Sequence, residues 1–209
     1  KWYRLAAEQG DAEAQRILGA CYYFGTGIRE DKQEAVKWYR LAAEQKNSEA
    51  RWRLGDCYFW GEGIREDKRE AVKWYRLAAE QKNSEARWRL GSCYYFGTGI
   101  REDKQEAVKW YRLAAEQGNA EAQWRLGDCY FWGEGIREDK QEAVKWYRLA
   151  AEQGNAKALK ELGDCYFWGE GIREDKQEAV KWYRLAAEQK NAEARWRLGS
   201  CYYFGTGIR

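Results

Sequence analysis

The chain has 209 residues, with 37 Lys or Arg against 34 Asp or Glu, and its formal net charge is +3. The two signs are interspersed along the sequence, so no strong field indicates a nucleic-acid or membrane-surface partner. His and Met are both absent, which excludes Ser-His and Cys-His catalytic constellations. No apolar run approaches the ~20 residues of a membrane span. We therefore expect a non-catalytic protein with no cofactor, no metal and no membrane insertion.

A block of residues recurs almost letter for letter, and successive copies are 36 residues apart, as from Trp38 to Trp74. A unit this short cannot bury its own hydrophobic face, so its stability must come from stacking on its neighbours. We predict a single repeat array over residues 1–209. Its five full repeats are 11–46, 47–82, 83–118, 119–154 and 155–190. A partial repeat at 1–10 holds a second helix only, and one at 191–209 holds a first helix and its loop.

Two helical patterns lie in each repeat, and repeat 119–154 shows both. Asn119 is a favourable N-cap, and Gly133 is suited to the left-handed residue that ends a helix. Asp139 followed by Glu142 predicts a capping box at the start of the second helix. The apolar stripes fall at Ala122, Leu126, Cys129 and Tyr130, then at Ala143, Tyr147, Ala150 and Ala151. The spacing of both stripes is typical of amphipathic helices.

The spaced residues resemble a known family. Residues 122–139 read A-x-x-x-L-G-x-x-Y-x-x-G-x-G-I-x-x-D, and residues 143–154 read A-x-x-W-Y-x-x-A-A-x-x-G. This pattern is similar to the Sel1-like repeat family, a branch of the tetratricopeptide-like solenoids. The resemblance implies an all-α fold, a right-handed superhelical α/α solenoid of 36-residue antiparallel helix pairs that serves as an adaptor or scaffold. Lys160 departs from the pattern by replacing a Trp, and Lys46, Lys82 and Lys190 stand where Gly is preferred.

The chain has more aromatic residues than that pattern requires, with 13 Trp, 15 Tyr and 6 Phe. Most of the surplus lies on the first helices, outside the core stripe, beside arginines. We expect candidate partner-binding residues at Trp52, Trp60, Trp88, Phe96, Trp124, Trp132, Trp168, Trp196, Arg53, Arg89 and Arg125. In one interpretation these side chains form an exposed groove for a protein or peptide. In the other, the rings pack against neighbouring repeats, and the arginines stack on them and pair with Glu49, Asp56 or Asp128 of the same helix.

One cysteine recurs at the same phase of each repeat, at Cys21, Cys57, Cys93, Cys129, Cys165 and Cys201. Equivalent helices of stacked repeats lie ~8–10 Å apart, which is too far for an unstrained disulfide, whose Cα atoms lie within ~7 Å. We therefore interpret these cysteines as small buried thiols.

Residues 1–10 and 191–209 carry the same aromatic and cysteine residues as the internal copies, without the polar end repeats of a capped solenoid. This favours a second hypothesis, that the chain is an excerpt or subunit of a continuous solenoid that assembles head to tail into a filament. Its partners would then be further copies of itself, and an extracellular location would accompany that hypothesis.

Overall fold

The computed structural model describes residues 2–208, so Lys1 and Arg209 at the outer limits of the two partial repeats lie outside it. The described residues form helices and connecting turns, with no strand among them. The helices are α1 Trp2–Glu8, α2 Ala12–Phe24, α3 Lys32–Glu44, α4 Ser48–Trp60, α5 Lys68–Glu80, α6 Ser84–Phe96, α7 Lys104–Ala115, α8 Ala120–Trp132, α9 Lys140–Glu152, α10 Ala156–Trp168, α11 Lys176–Glu188 and α12 Ala192–Phe204. This confirms the predicted all-α class.

The chain divides into two compact units. Unit 1 comprises residues 1–103 and carries α1 to α6, whereas unit 2 comprises residues 104–209 and carries α7 to α12. Between residues 2 and 208, no helix is both long enough and apolar enough to cross a bilayer.

The first helix of each repeat begins and ends where its capping residues predict. In α8, the side chain of Asn119 accepts a hydrogen bond from the backbone N–H of Ala122 at 2.9 Å. At the other end, Gly133 adopts φ 68° and its N–H donates to the carbonyl of Cys129. Glycine reaches this left-handed conformation without a steric penalty. Lys46, Lys82 and Lys190 adopt φ values of 64–66° after the second helices, although a non-glycine residue pays a conformational cost there.

The second helices begin at an aspartate, but the capping box predicted at Asp139 is only half formed. Asp139 accepts from the backbone N–H of Glu142 at 2.9 Å, as expected. The reciprocal bond is absent because the N–H of Asp139 donates instead to the carbonyl of Tyr130, also at 2.9 Å. The carboxylate of Glu142 pairs with Lys145 at 2.7 Å. The helix pair is thus fastened at its turn by backbone bonding.

The two helices of a repeat run antiparallel and approach closely at a glycine. Asp139 at the start of α9 bonds Tyr130 near the end of α8, and Tyr147, two turns further along α9, lies against Gly127 of α8. A Cβ built on Gly127 would stand 2.6 Å from the Tyr147 ring. The phenol ring therefore packs directly on the backbone of the facing helix. Tyr147 is fully buried, as are its counterparts Tyr39, Tyr75, Tyr111 and Tyr183.

The core is shared between repeats. One buried cluster joins Ala35, Val36 and Tyr39 of α3 to Leu54 and Cys57 of α4, which belong to successive repeats. The predicted apolar stripes of α8 and α9 are all buried, which confirms the 3.6-residue pattern. All six cysteines are free thiols; five of them are buried, and Cys21 is half-buried. Burial raises the pKa of Cys129 to about 12, so this thiol is un-ionised and unreactive at neutral pH.

Replacing Gly127 by Ala should destabilise the fold by about 1–3 kcal/mol, because the new methyl group would overlap the Tyr147 ring. The matched control is Gly199→Ala in α12, where nothing lies within 4 Å of a Cβ. There the higher helix propensity of Ala should raise stability by roughly 0.5–1 kcal/mol. Thermal unfolding followed by circular dichroism measures both changes. Equal effects at the two positions would contradict the close approach of ring and backbone.

Candidate functional site

The surplus aromatic rings of the first helices have two different environments. Trp52 in unit 1 and Trp124 in unit 2 are each only 7% exposed. The guanidinium of Arg53 lies 3.9 Å from the centroid of the Trp52 ring, and that of Arg125 lies 4.2 Å from the Trp124 centroid. For these two rings, the packing interpretation is correct. Trp88 is half-buried beneath Arg89 at 4.5 Å, whereas Trp196 is exposed.

Trp124 is covered from the next repeat as well. The ammonium of Lys157 in α10 lies 4.2 Å from the Trp124 centroid, the same distance as the Arg125 guanidinium. Cation–π contacts of this kind stabilise by ~0.5–1 kcal/mol at exposed sites. A ring held between two cations is part of the junction between repeats, and it offers little free surface to a partner.

A second set of rings, one per repeat, is exposed in both units. These rings occupy the last residue of each first helix, immediately before the glycine that ends it. They are 57–74% exposed: Phe24, Trp60 and Phe96 in unit 1, and Trp132, Trp168 and Phe204 in unit 2. We call these six residues the aromatic row. Four of the predicted binding residues, Trp60, Phe96, Trp132 and Trp168, belong to it.

Each ring of the aromatic row is held by an edge-to-face contact with the ring just before it. Phe131 and Trp132 have ring centroids 4.9 Å apart at an interplanar angle of 70°, and Phe167 and Trp168 have centroids 4.7 Å apart at 73°. Phe131 in turn contacts the buried Tyr147, with centroids 6.2 Å apart. The exposed rings are therefore attached to the core through a second aromatic residue. This restricts their rotamers and lowers the entropic cost of burying them against another surface.

The arginines beside these rings do not all pair as predicted. Arg53 contacts Glu49 of its own helix at 3.4 Å, and Arg125 lies 3.9 Å from Asp128 of its own helix. Arg89 also contacts Glu85 of its own helix at 3.5 Å, but its Asp56 partner, at 3.1 Å, belongs to the preceding repeat. Same-helix pairing was therefore wrong for Asp56, because the Arg side chain is long enough to cross to the neighbouring first helix. This contact ties successive repeats together.

Half-buried carboxylates on the first helices accept hydrogen bonds from the core tyrosines, a feature that the sequence analysis missed. Tyr75 donates to Asp56 at 2.6 Å, and Tyr147 donates to Asp128 at 2.8 Å. The hydroxyl of Tyr39 is buried without a hydrogen-bond partner, and the residue in the corresponding position is Ala20. The signal was available, because Asp and Tyr recur 19 residues apart in these repeats.

The junction between repeats 119–154 and 155–190 carries different charges from the other junctions. Lys160 replaces the Trp and binds Glu161, Asp164 and Glu193 at 3.1, 3.0 and 3.3 Å. Glu161 takes the position that Arg89 and Arg197 occupy in other repeats. Those arginines pair with the aspartate of the preceding first helix, as Arg197 does with Asp164 at 3.1 Å. Asp128 lacks this cation.

The pKa of Asp128 reflects this change. Burial raises it to about 6, against the opposing effects of the Tyr147 hydrogen bond and of the Arg125 and Lys160 charges. Burial also raises the pKa of Glu161, and the Asp128 charge contributes in the same direction. Two carboxyl groups therefore face a poorly solvated region in which ionisation is unfavourable.

No group of three or more His, Cys, Asp or Glu side chains within residues 2–208 is arranged to hold a metal ion. The rings, arginines and carboxylates described above form packing and ion-pair contacts. Both units thus belong to the class of helix-pair repeat proteins with a solvent-facing aromatic surface.

Comparison with known families identifies the repeat. The family model for the Sel1 repeat matches residues 1–11, 12–47, 48–83, 84–119, 120–155, 156–191 and 192–209. The chain therefore belongs to the Sel1 repeat family, whose members are generally protein-interaction scaffolds. A search of curated proteins found no match.

Solved structures agree with this assignment. The chain is 40% identical to the protective antigen c5321 of uropathogenic Escherichia coli, which displays an SLR fold, with a TM-score of 0.93. It is covered completely by that match but spans only 44% of the antigen. A Sel1 repeat protein from Oxalobacter formigenes is 38% identical, with a TM-score of 0.88 over 94% of this chain and 78% of that one. The immunity protein Pa5087 from Pseudomonas aeruginosa, 22% identical, shares the fold, with a TM-score of 0.57 over 88% of this chain and 67% of that one.

The raised pKa of Asp128 predicts a pH dependence of stability. A carboxyl group whose pKa is about 6 when folded binds its proton more tightly in the native state than in the unfolded chain. Its contribution is therefore fully present below about pH 4 and is lost as the pH rises through 6. In Asp128→Asn this component disappears. The stability of the wild type relative to Asp128→Asn should increase by about 1.4 kcal/mol between pH 8 and pH 5.

Urea unfolding of both proteins at several pH values measures this difference. Glu152→Gln, which neutralises an exposed side chain of α9, controls for the loss of one surface charge. If the curves for the wild type and Asp128→Asn ran parallel from pH 8 to pH 5, Asp128 would not be the titrating group.

Proposed function

We propose that the chain is a non-catalytic scaffold in which the first-helix face of each unit binds a protein or peptide partner, with the aromatic-row residues of that unit supplying the main contacts. Arg53, Arg89 and Arg125 border this face. The observation that carries the proposal is the recurrence of one exposed, edge-packed ring at the same position of each first helix. Large exposed apolar rings on a folded surface are typical of interaction sites.

The chemistry of the row supports protein recognition. Trp and other large aromatic residues dominate binding energy at interfaces, because a rigid ring buries much area at a small entropic cost. Arginine is similarly enriched at interfaces, and the guanidinium of Arg53 lies 5.8 Å from the centroid of the Phe24 ring. The surface therefore combines the residue types that form binding hot spots. The buried Trp52 and Trp124 are assigned a structural role.

We expect the triple variant Trp60→Ala, Trp132→Ala, Trp168→Ala to bind partner peptides at least tenfold more weakly, since each hot-spot ring contributes ~2 kcal/mol or more. The matched control is Leu77→Ala, Leu149→Ala, Leu185→Ala. These leucines are 38–45% exposed on the second helices, away from the row. Peptides are first selected against the wild-type chain from a random display library, and their Kd values are then measured on all three proteins by fluorescence polarisation.

Unchanged circular dichroism spectra would confirm that both triple variants remain folded. Equal loss of affinity in the two variants, or a greater loss in the leucine variant, would place the binding face elsewhere. Failure to select any peptide would contradict recognition of short segments by this surface.

We also propose head-to-tail association as an alternative function. Trp2, Tyr3, Tyr203 and Phe204 are exposed in the first and last helices, whereas the counterparts of Tyr3 in later repeats are fully buried. Contact between copies of this chain would bury these rings. Sedimentation velocity over a hundredfold concentration range should then show growth beyond dimers, with filaments in electron micrographs. A constant monomer mass would contradict this alternative.

A further inference from the structure

The loop that follows each first helix varies at one position. The residue between its two glycines is Glu62, Glu134 or Glu170 in three copies and Thr26, Thr98 or Thr206 in the other three. This alternation between a carboxylate and a hydroxyl occurs within one chain and one local fold. The two classes can therefore be compared directly.

In the Glu class, the carboxylate binds a lysine at the start of the second helix of the preceding repeat. Lys32 contacts Glu62 at 2.6 Å, Lys104 contacts Glu134 at 2.7 Å, and Lys140 contacts Glu170 at 2.8 Å. Pairing with Lys32 lowers the pKa of Glu62. The ion pair joins one repeat to the next.

The loop that contains Thr98 docks on the preceding second helix in the same way as the Glu-containing loops, but it supplies no carboxylate. A Cβ built on Gly99 would lie 2.2 Å from the carbonyl oxygen of Lys68, and one on Gly171 would lie 2.1 Å from that of Lys140. The two loops therefore dock on the same part of the preceding helix. The ammonium of Lys68 lies 5.2 Å from the Phe59 ring, close to the 4.8 Å between Lys140 and Phe131. Lys68 is thus held where a loop carboxylate would meet it.

Lys68 has a weaker partner of its own. Its ammonium lies 3.3 Å from the carboxylate of Glu66, only two residues earlier, and both side chains are substantially exposed. Exposed pairs of this kind contribute little to stability. The lysine therefore remains available to an anion supplied by the loop.

The same junction carries a second cation that the other repeats lack. Arg69 follows Lys68, whereas the corresponding residues are Gln33, Gln105, Gln141 and Gln177. Its backbone nitrogen would lie 3.1 Å from a Cβ on Gly99. Its side chain is exposed and forms no ion pair with any residue between 2 and 208. The start of α5, on which the Thr98 loop docks, thus carries two cations, whereas the start of α11, on which the Thr206 loop docks, carries only Lys176.

We propose that Thr98 is a phosphorylation site whose phosphate binds Lys68 and Arg69. A protein kinase would transfer the γ-phosphoryl group of a nucleoside triphosphate to the Thr98 hydroxyl oxygen. The new O–P bond forms as the bond to the bridging β,γ-oxygen breaks, the nucleoside diphosphate leaves, and the hydroxyl proton passes to a base. The proposal does not depend on the proposed binding function.

The charges around Thr98 favour the product. A phosphothreonine carries about −1.5 to −2 charges and three acceptor oxygens, which matches one ammonium and one guanidinium better than a single carboxylate does. Glu66, Asp67 and Glu102 are the nearby acids, and a Cβ built on Gly97 would lie 3.3 Å from the Cβ of Glu102. Asp67 is already engaged in capping α5, since it accepts from the N–H groups of Arg69 and Glu70. The junction with Glu62 shows that the pair forms beside Glu30, the counterpart of Glu66.

The effect of the phosphate on stability is tested with phosphothreonine incorporated at position 98 during translation. It should raise Tm by about 2–4 °C over the unmodified chain, and phosphatase treatment should reverse the rise. Arg69→Gln, which restores the residue of the other repeats, should remove roughly half of the gain. Lys68→Met together with Arg69→Gln should abolish it. Phosphothreonine at position 206 is the internal comparison and should give a smaller rise.

Mass spectrometry measures how much of the chain carries phosphate at Thr98. The chain is isolated with phosphatase inhibitors from the cells that produce it. Tryptic peptides 90–101 and 198–209 have the same sequence, so the chain must carry Thr206→Val to assign the phosphate. Phosphate at Thr98 and a Tm gain that depends on Arg69 would both support the proposal. Absence of phosphate at Thr98 in growing and stationary cells, or a gain unaffected by the Lys68 and Arg69 substitutions, would overturn it.

Discussion

The packing of a tyrosine ring on the backbone of the facing helix is the constraint on which the rest of the structure depends. At Gly127, no side chain larger than hydrogen fits beneath Tyr147. The ring fixes the separation of the two helices, and its hydroxyl reaches the carboxylate of Asp128. The following repeat then contributes the leucine and the cysteine that close the cluster, as α3 and α4 show in unit 1. Because each core lies between repeats, a junction is the unit of stability.

The turn after each first helix explains why the aromatic row is exposed. The glycine after each first helix must take the left-handed conformation, and the chain then turns back to begin the second helix. The last helical residue, such as Trp132, lies at this turn beyond the reach of the facing helix. It is held only by the ring before it. A large apolar side chain there gains little from folding, and this supports the binding role that we propose for the row.

Much of the fold could be predicted from the sequence, since periodicity and capping chemistry are local. The stripe that contains Leu126 and the caps at Asn119 and Gly133 depend on residues within a few positions of each other. The burial of Trp124 and the exposure of Trp132 could not be predicted in this way. Both lie outside the stripe, and Trp124 is buried by Lys157 of the next repeat. Similarly, Arg89 pairs with Asp56 across a junction, a contact that no helical spacing indicates.

The differences between copies are coupled across junctions, and this gives each junction its own chemistry. Where Glu161 replaces an arginine, Lys160 replaces a tryptophan and binds the surrounding carboxylates. Where Thr98 replaces a glutamate, Arg69 replaces a glutamine on the helix that the loop touches. In the first case the second change partly offsets the charge altered by the first, whereas in the second case both changes make the junction more positive. A scaffold of near-identical repeats can therefore vary the strength of individual junctions while the tyrosine–glycine contacts keep the fold unchanged.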